Sequence, residues 1–154
     1  MKPNFGIDES FTKKINEQLV VLLANNYSLY FNTLNAHWNI EDSRFIALHE
    51  MLETQYKALA DAGDEIAERI RQMGYKAPGS MQAMVQKATL KNVEESSTAD
   101  KMIAHLASCH ETSVVFMREF SKLGEEAGDY GLVDMLGTLI RDHEKTAWIL
   151  RSHL

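Results

Sequence analysis

The run HWNIEDSRFIALHEMLETQYKALADAGDEIAERI, residues 37–70, contains five side chains able to hold a metal: His37, His49, Glu53, Asp64 and Glu68. Imidazole nitrogens and carboxylate oxygens without a thiolate suit iron(II), with zinc or manganese as surrogates, and do not suit copper(I) or calcium. Structural zinc sites usually draw on several cysteines, whereas this chain has a single one, Cys109. Carboxylates can bridge two metals, and anionic oxygen donors stabilise Fe(III) more than Fe(II). Redox work on iron is therefore the chemistry these residues favour.

Their spacing decides how they can meet. On a helix turning ~100° per residue, His49, Glu53, Asp64 and Glu68 fall at roughly 0°, 40°, 60° and 100°. All four share one sector, and each of the two pairs is spaced i,i+4, so its members can reach a common ligand. The pairs are separated by ~22 Å along the axis, too far for one ion within one chain. A second copy packed antiparallel, with a two-fold axis near Ala58 and Leu59, would set His49 and Glu53 of one chain against Asp64 and Glu68 of the other and create two equivalent sites. His37 precedes residue 43 by as much as His49 follows it, so a helical hairpin turning there holds both imidazoles level.

The elements needed to position these residues are legible as hydrophobic periodicity. Ile15, Leu19, Leu22, Leu23, Leu29, Tyr30 and Leu34 form the stripe of a first helix over residues 10–37. Asp42 or Ser43 is expected to cap a second over 44–73, whose stripe is Phe45, Leu48, Leu52, Tyr56, Leu59, Ile66 and Ile70, with Gly74 at its C′ position. After Pro78-Gly79, Ser80 caps a short amphipathic piece, MQAMVQKATL, followed by the polar run KNVEES. Ser97 to Asp100 matches a capping box opening a third long helix (Met102, Ile103, Leu106, Val114, Met117) that ends between Gly124 and Gly128. A fourth runs from 129 or 130 to 152 with Leu132, Leu136, Leu139, Ile140, Ala147 and Trp148 inward. With a short first turn and a long middle connection, this is an all-α four-helix bundle with a short extra helix between its second and third long helices.

The chain's 154 residues suffice for one domain, and a 45% hydrophobic, 25% charged composition is that of an ordinary globular protein. One cysteine permits no intrachain disulfide, and no apolar run reaches a membrane span. The expected address is the cytoplasm. A net charge of −6 disfavours wrapping a polyanion and favours attracting cations.

The run HWNxxxxxFxxLHEML, the Asp64–Glu68 pair within DEIAER, and the closing Asp142-x-x-Lys145-x-x-Trp148 together resemble the Dps family, the DNA-binding proteins from starved cells or mini-ferritins. The resemblance spans most of the chain. It implies a hollow dodecameric shell built from two-fold dimers, with ferroxidase centres across the dimer interfaces. It implies that Fe(II) is oxidised, preferentially by hydrogen peroxide, and stored as ferric mineral, which limits oxidative damage. The family's ligands fall on His37, His49, Asp64 and Glu68. Glu53 departs, standing where aspartate is usual and reaching one methylene further, which puts metal affinity and the position of a second iron in question.

Lesser candidates have plainer readings beside them. The resemblance places Trp38 near the centre as a radical interceptor; a packing aromatic is the simpler reading. Asp134 is a candidate for an acidic inlet pore, with Asp129 behind it, against the alternative of solvated aspartates. His105 and Cys109 could take a soft metal but fit a buried cysteine better, and His110 and His143 read as ordinary polar or core histidines. The methionines, Met51, Met81, Met84, Met102, Met117 and Met135, read as core filler. The family's DNA binding often uses a lysine-rich tail, but only Lys2 precedes the first helix here, beside Asp8 and Glu9, so DNA binding is expected to be absent or weak. Two alternatives stay open: a nucleoid-compacting DNA-binding protein with incidental iron binding, and a bundle with no metal role.

Overall fold

The computed structural model describes residues 3–94 and 97–154; Lys2 and the end of the KNVEES run lie outside them. Five helices follow in order: α1 (Glu9–Asn39), α2 (Phe45–Gln72), α3 (Met81–Lys87), α4 (Ala99–Ala127) and α5 (Tyr130–Arg151). The described residues contain no strand. The long helices pair as two hairpins, α1 with α2 and α4 with α5, joined chiefly by α1 against α4, while α3 lies along α1. This is the expected all-α bundle with its short extra helix.

Side chains and glycines set the helix ends. The Asp8 carboxylate accepts from the Ser10 N–H at 2.8 Å, Ser80 Oγ from the Ala83 N–H at 3.2 Å, and Asp129 from the Leu132 N–H at 3.0 Å, each meeting donors that a first helical turn leaves unpaired. Gly74 and Gly128 adopt φ of 90° and 69° just past α2 and α4, a left-handed stop that costs glycine little. Two expected boundaries move, the starts of α4 and α2. Thr98, not Ser97, caps α4, so Lys101 takes the place of the acidic capping-box residue. α4 ends at Ala127, between Gly124 and Gly128 as expected, with Gly124 inside the helix and packed on Leu132 and Val133.

Arg44, without a side-chain cap, occupies the N-cap of α2 in place of Asp42 or Ser43. The Asp42 carboxylate is instead turned onto the Arg44 backbone N–H and guanidinium, all at 2.7–2.8 Å, and Arg44 holds its carboxyl well below the usual range. Arg44 also donates to the His153 carbonyl at 2.6 Å and to Asp100 at 2.7 Å. One guanidinium thus joins the α1–α2 turn, the start of α4 and the last residues of the chain at one end of the bundle.

The core forms two apolar clusters. Leu29, Leu48, Leu52, Met102, Ile103, Leu106 and Leu150 lie in the cluster nearer Arg44, and Ile15, Leu19, Leu23, Ile66, Ile70, Met117, Leu132 and Leu136 in the other. Each fully buried Leu or Ile contributes about 1.5–3 kcal/mol relative to exposure, so these two clusters supply most of the drive to pack. Three side chains expected inward face outward: Phe45 is 39% exposed, Trp148 61% and Met81 70%. An inward stripe narrower than the apolar residues available leaves these on the flanks.

Between the clusters runs a buried polar layer. His110 and His143 face each other with Nδ1 atoms 3.1 Å apart, and Gln55 is buried at the core-facing side of α2. Counted from the Arg44 end, residues 55, 110 and 143 lie ~12–17 Å along their helices, hence near one level. Gln55 Oε1 and Nε2 and His110 Nε2 are buried with no hydrogen-bond partner among the described residues.

Candidate metal centre

His37 lies near the end of α1 and His49 in the opening turns of α2, and the tight turn between these helices sets them side by side. Their rings stack with centroids 3.8 Å apart and planes 16° from parallel. His37 Nδ1 lies 3.0 Å from the His49 carbonyl, and His49 Nδ1 lies 2.9 Å from the His37 carbonyl. A carbonyl can only accept, so each Nδ1 carries the hydrogen and donates it. Each Nε2 is then the bare acceptor nitrogen, which is the form that binds a metal.

The surroundings hold that geometry. Phe45 stacks on His49 at 5.0 Å, and Tyr56 meets His37 edge-on at 5.2 Å. His37 is buried and His49 half-buried. Neither Phe45 nor Tyr56 could be singled out from spacing, because ring stacking depends on two helices at once. A bulky residue four before or seven after a ligand histidine is the only sequence signal available.

Glu53, one turn after His49, is engaged by Lys57 one turn further on. The Lys57 hydrogen bond and charge hold its carboxyl below the usual range, with lesser pulls from His37 and His49. Asp64 and Glu68 are exposed on α2 and make no hydrogen bond or ion pair among the described residues. Within one chain the helix therefore brings His37 and His49 together and keeps Asp64 and Glu68 apart from them. No group of three or more His, Cys, Asp or Glu side chains among the described residues is gathered to hold a metal. The donor types nonetheless fit iron: two bare imidazole nitrogens at one position, unpaired carboxylates at the other.

The face carrying these residues is unusually apolar at its margins. Ile46, at roughly 60° and so within the same sector as Asp64, and Trp38 are each 66% exposed. Trp38 is thus not the packing aromatic within its own chain that its type suggests, since α1 turns it away from the core. Asp134 is exposed, whereas Asp129 is buried and clamped by Arg69 at 2.5 and 2.6 Å, which removes Asp129 as a pore residue. Cys109 is buried, and burial pushes its thiol up to about 11. His105 Nε2 is 3.4 Å from its sulfur and 3.0 Å from the Lys91 carbonyl. A protonated thiol is a poor soft-metal ligand, in keeping with the buried-cysteine reading.

The ferritin-like domain family matches residues 16–154. The chain is 34% identical over 134 residues to the DNA protection during starvation protein of Agrobacterium fabrum, covering 86% of this chain and 82% of that protein. It is equally 34% identical over 153 residues to a low temperature-induced protein of Nostoc, covering 98% and 86%. Among solved structures it resembles the Dps protein of Vibrio cholerae O1, described as one of a broad superfamily of ferritin-like diiron-carboxylate proteins, with a TM-score of 0.92 at 30% identity over 99% and 96% of the two chains. Antigen TpF1 of Treponema pallidum gives a TM-score of 0.92 at 28% identity over 99% and 98%.

Proposed function

Since the chain belongs to the Dps family of ferritin-like proteins, we propose that it oxidises Fe(II), preferentially with hydrogen peroxide, at a ferroxidase centre shared by two subunits, and stores the ferric product as mineral inside a dodecameric shell. The observation carrying this reading is the reciprocal pair of Nδ1–H···O=C bonds between His37 and His49. It occupies both Nδ1 atoms and leaves both Nε2 lone pairs available before any metal arrives. His37, His49 and Glu53 of one subunit would hold iron together with Asp64 and Glu68 of a second copy.

The chain's own residues do three things in such a centre. The bonds at Nδ1 hold the two stacked rings in place and leave each Nε2 able to bind iron. The carboxylates cancel the charge that accumulates as iron becomes ferric. Phe45, Tyr56, Ile46 and Trp38 offer apolar surface that a second subunit would cover, limiting escape of reactive oxygen species. Hydrogen peroxide accepts one electron from each of two Fe(II) and two protons, giving two waters, so no one-electron oxidant need be released. Exposed Asp134 is a candidate for drawing Fe(II) towards the shell interior, since acidic rims concentrate cations. Zinc or manganese would act as surrogates at the same ligands. A net charge of −6 argues against strong DNA binding. No helix among the described residues is long and apolar enough to cross a membrane, in keeping with work in the cytoplasm.

The test is anaerobic loading of the assembled protein with Fe(II), then addition of hydrogen peroxide, following ferric absorbance in wild type and His49→Ala. Rapid oxidation into a soluble product, slowed by about 10-fold or more in the variant, is expected. Equal rates in both proteins, no faster than a protein-free blank, would overturn the ferroxidase reading.

A further inference from the structure

We infer that Lys57 is an internal competitor for the centre: its ammonium holds the Glu53 carboxylate in the metal-free protein and must release it before Glu53 can bind metal, so Lys57 sets the affinity. This rests on the ferroxidase reading and refines it. Between His49 and Glu68, Lys57 is the only lysine or arginine of α2. At ~100° per residue it falls at roughly 80° from His49, inside the sector that carries the ligands. Its partner is Glu53, in the i,i+4 order with glutamate on the N-terminal side, which is the favourable orientation for such a pair.

Glu53 thereby differs from every other proposed ligand. His37 and His49 keep their Nε2 nitrogens free, and Asp64 and Glu68 make no bond among the described residues. Glu53 alone is already satisfied by a cation. A divalent ion arriving at His49 competes with Lys57 for the same oxygens and is repelled by the ammonium that stays behind. The methylene that glutamate has over aspartate gives this carboxylate the reach to exchange one cation for the other. Lys57 is one residue from the Ala58–Leu59 point where the proposed two-fold axis passes, so assembly would bring two such ammonium groups between the two centres. Exposure of both side chains, 62% for Lys57 and 41% for Glu53, keeps the effect modest.

Calorimetric titration of the assembled protein with Zn(II), a redox-silent probe, tests this in wild type, Lys57→Gln, Lys57→Arg, Glu53→Gln and the Lys57→Gln/Glu53→Gln double variant. Lys57→Gln should tighten Zn(II) binding by about 2- to 5-fold, with the gain shrinking at high salt. Lys57→Arg should bind as wild type does, and the gain from Lys57→Gln should shrink once Glu53 is Gln, leaving only the relief of the ammonium's repulsion. Unchanged or weaker binding in Lys57→Gln, or the same gain in the Glu53→Gln background, would overturn the inference while leaving the centre intact. Failure of wild type itself to bind Zn(II) in a manner that His49→Ala abolishes would overturn the centre and this inference with it.

Discussion

The molecule holds two pairs of facing histidines and uses them in opposite ways. His37 and His49 each spend Nδ1 on the other's backbone carbonyl, so the rings are fixed while neither Nε2 takes part in the exchange. His110 and His143 spend Nδ1 on each other, 3.1 Å apart, within a buried layer. One of those two nitrogens must donate and the other accept, which requires the accepting ring to be neutral. Burial pushes His143 down to about 4, and burial together with His143 pushes His110 well below its ordinary value. Histidine chemistry here is set by what Nδ1 bonds to: a carbonyl leaves an Nε2 able to bind a metal, a second imidazole leaves a sealed core contact.

The sharpest way to break this contrast is to ask whether the outer pair needs a second chain. His49→Ala and Asp64→Asn subunits should each assemble into shells with little peroxide-driven Fe(II) oxidation. Unfolded and reassembled together at equal amounts, they should regain about a quarter of the wild-type centres, because a mixed two-fold dimer carries one intact centre and one doubly damaged one. Ferric absorbance after mixing reads this directly. No recovery in shells shown to be mixed would mean that all five ligands act within one chain, or that Asp64 is not a ligand.

Acid should single out the inner pair. A histidine whose folded value lies below its unfolded 6.5 binds fewer protons when folded, so its stabilising contribution is complete above 6.5 and is lost as pH falls towards about 4. For His143 the loss approaches about 3 kcal/mol across that window. Urea unfolding at steps from pH 7.5 to 4.5 should show a shallower acid decline in His143→Gln than in wild type. Parallel declines would mean that carboxylates alone set the acid limit. Smallest is the expected effect of Phe45→Leu. Losing the ring on His49 removes about 0.5–1.5 kcal/mol of stacking, which should weaken Zn(II) binding by about 2- to 10-fold without changing the inner pair's acid profile.

The two pairs were unequally legible in the sequence. His49, Glu53, Asp64 and Glu68 lie on one helix, where angle alone shows their common face, and the long helices follow directly from Leu and Ile repeating at three and four. Leu106–His110–Val114 and Leu139–His143–Ala147 carried a comparable signal, a histidine within each inward stripe, but which helices face each other is a tertiary fact. The same holds for Asp129, whose carboxylate looked free for a pore until Arg69 was brought beside it. Arg44 at the N-cap of α2 is another case: the residue types favoured Asp42 or Ser43, yet Arg44 gained partners on α4 and at the chain's end. Trp148 and Met81 show that apolar character marks a surface needing cover without saying who provides it.

The exchange of carbonyl bonds between His37 and His49 also sets an order in time. Both residues belong to one hairpin with a short turn, so loop closure costs little and this half of the centre can take shape before α4 and α5 dock. In the proposed centre, the carboxylate half would arrive only when another subunit does. A newly made chain would then be folded yet inert towards iron, and its activity would begin with pairing, so that oxidation waits for the first step of shell assembly.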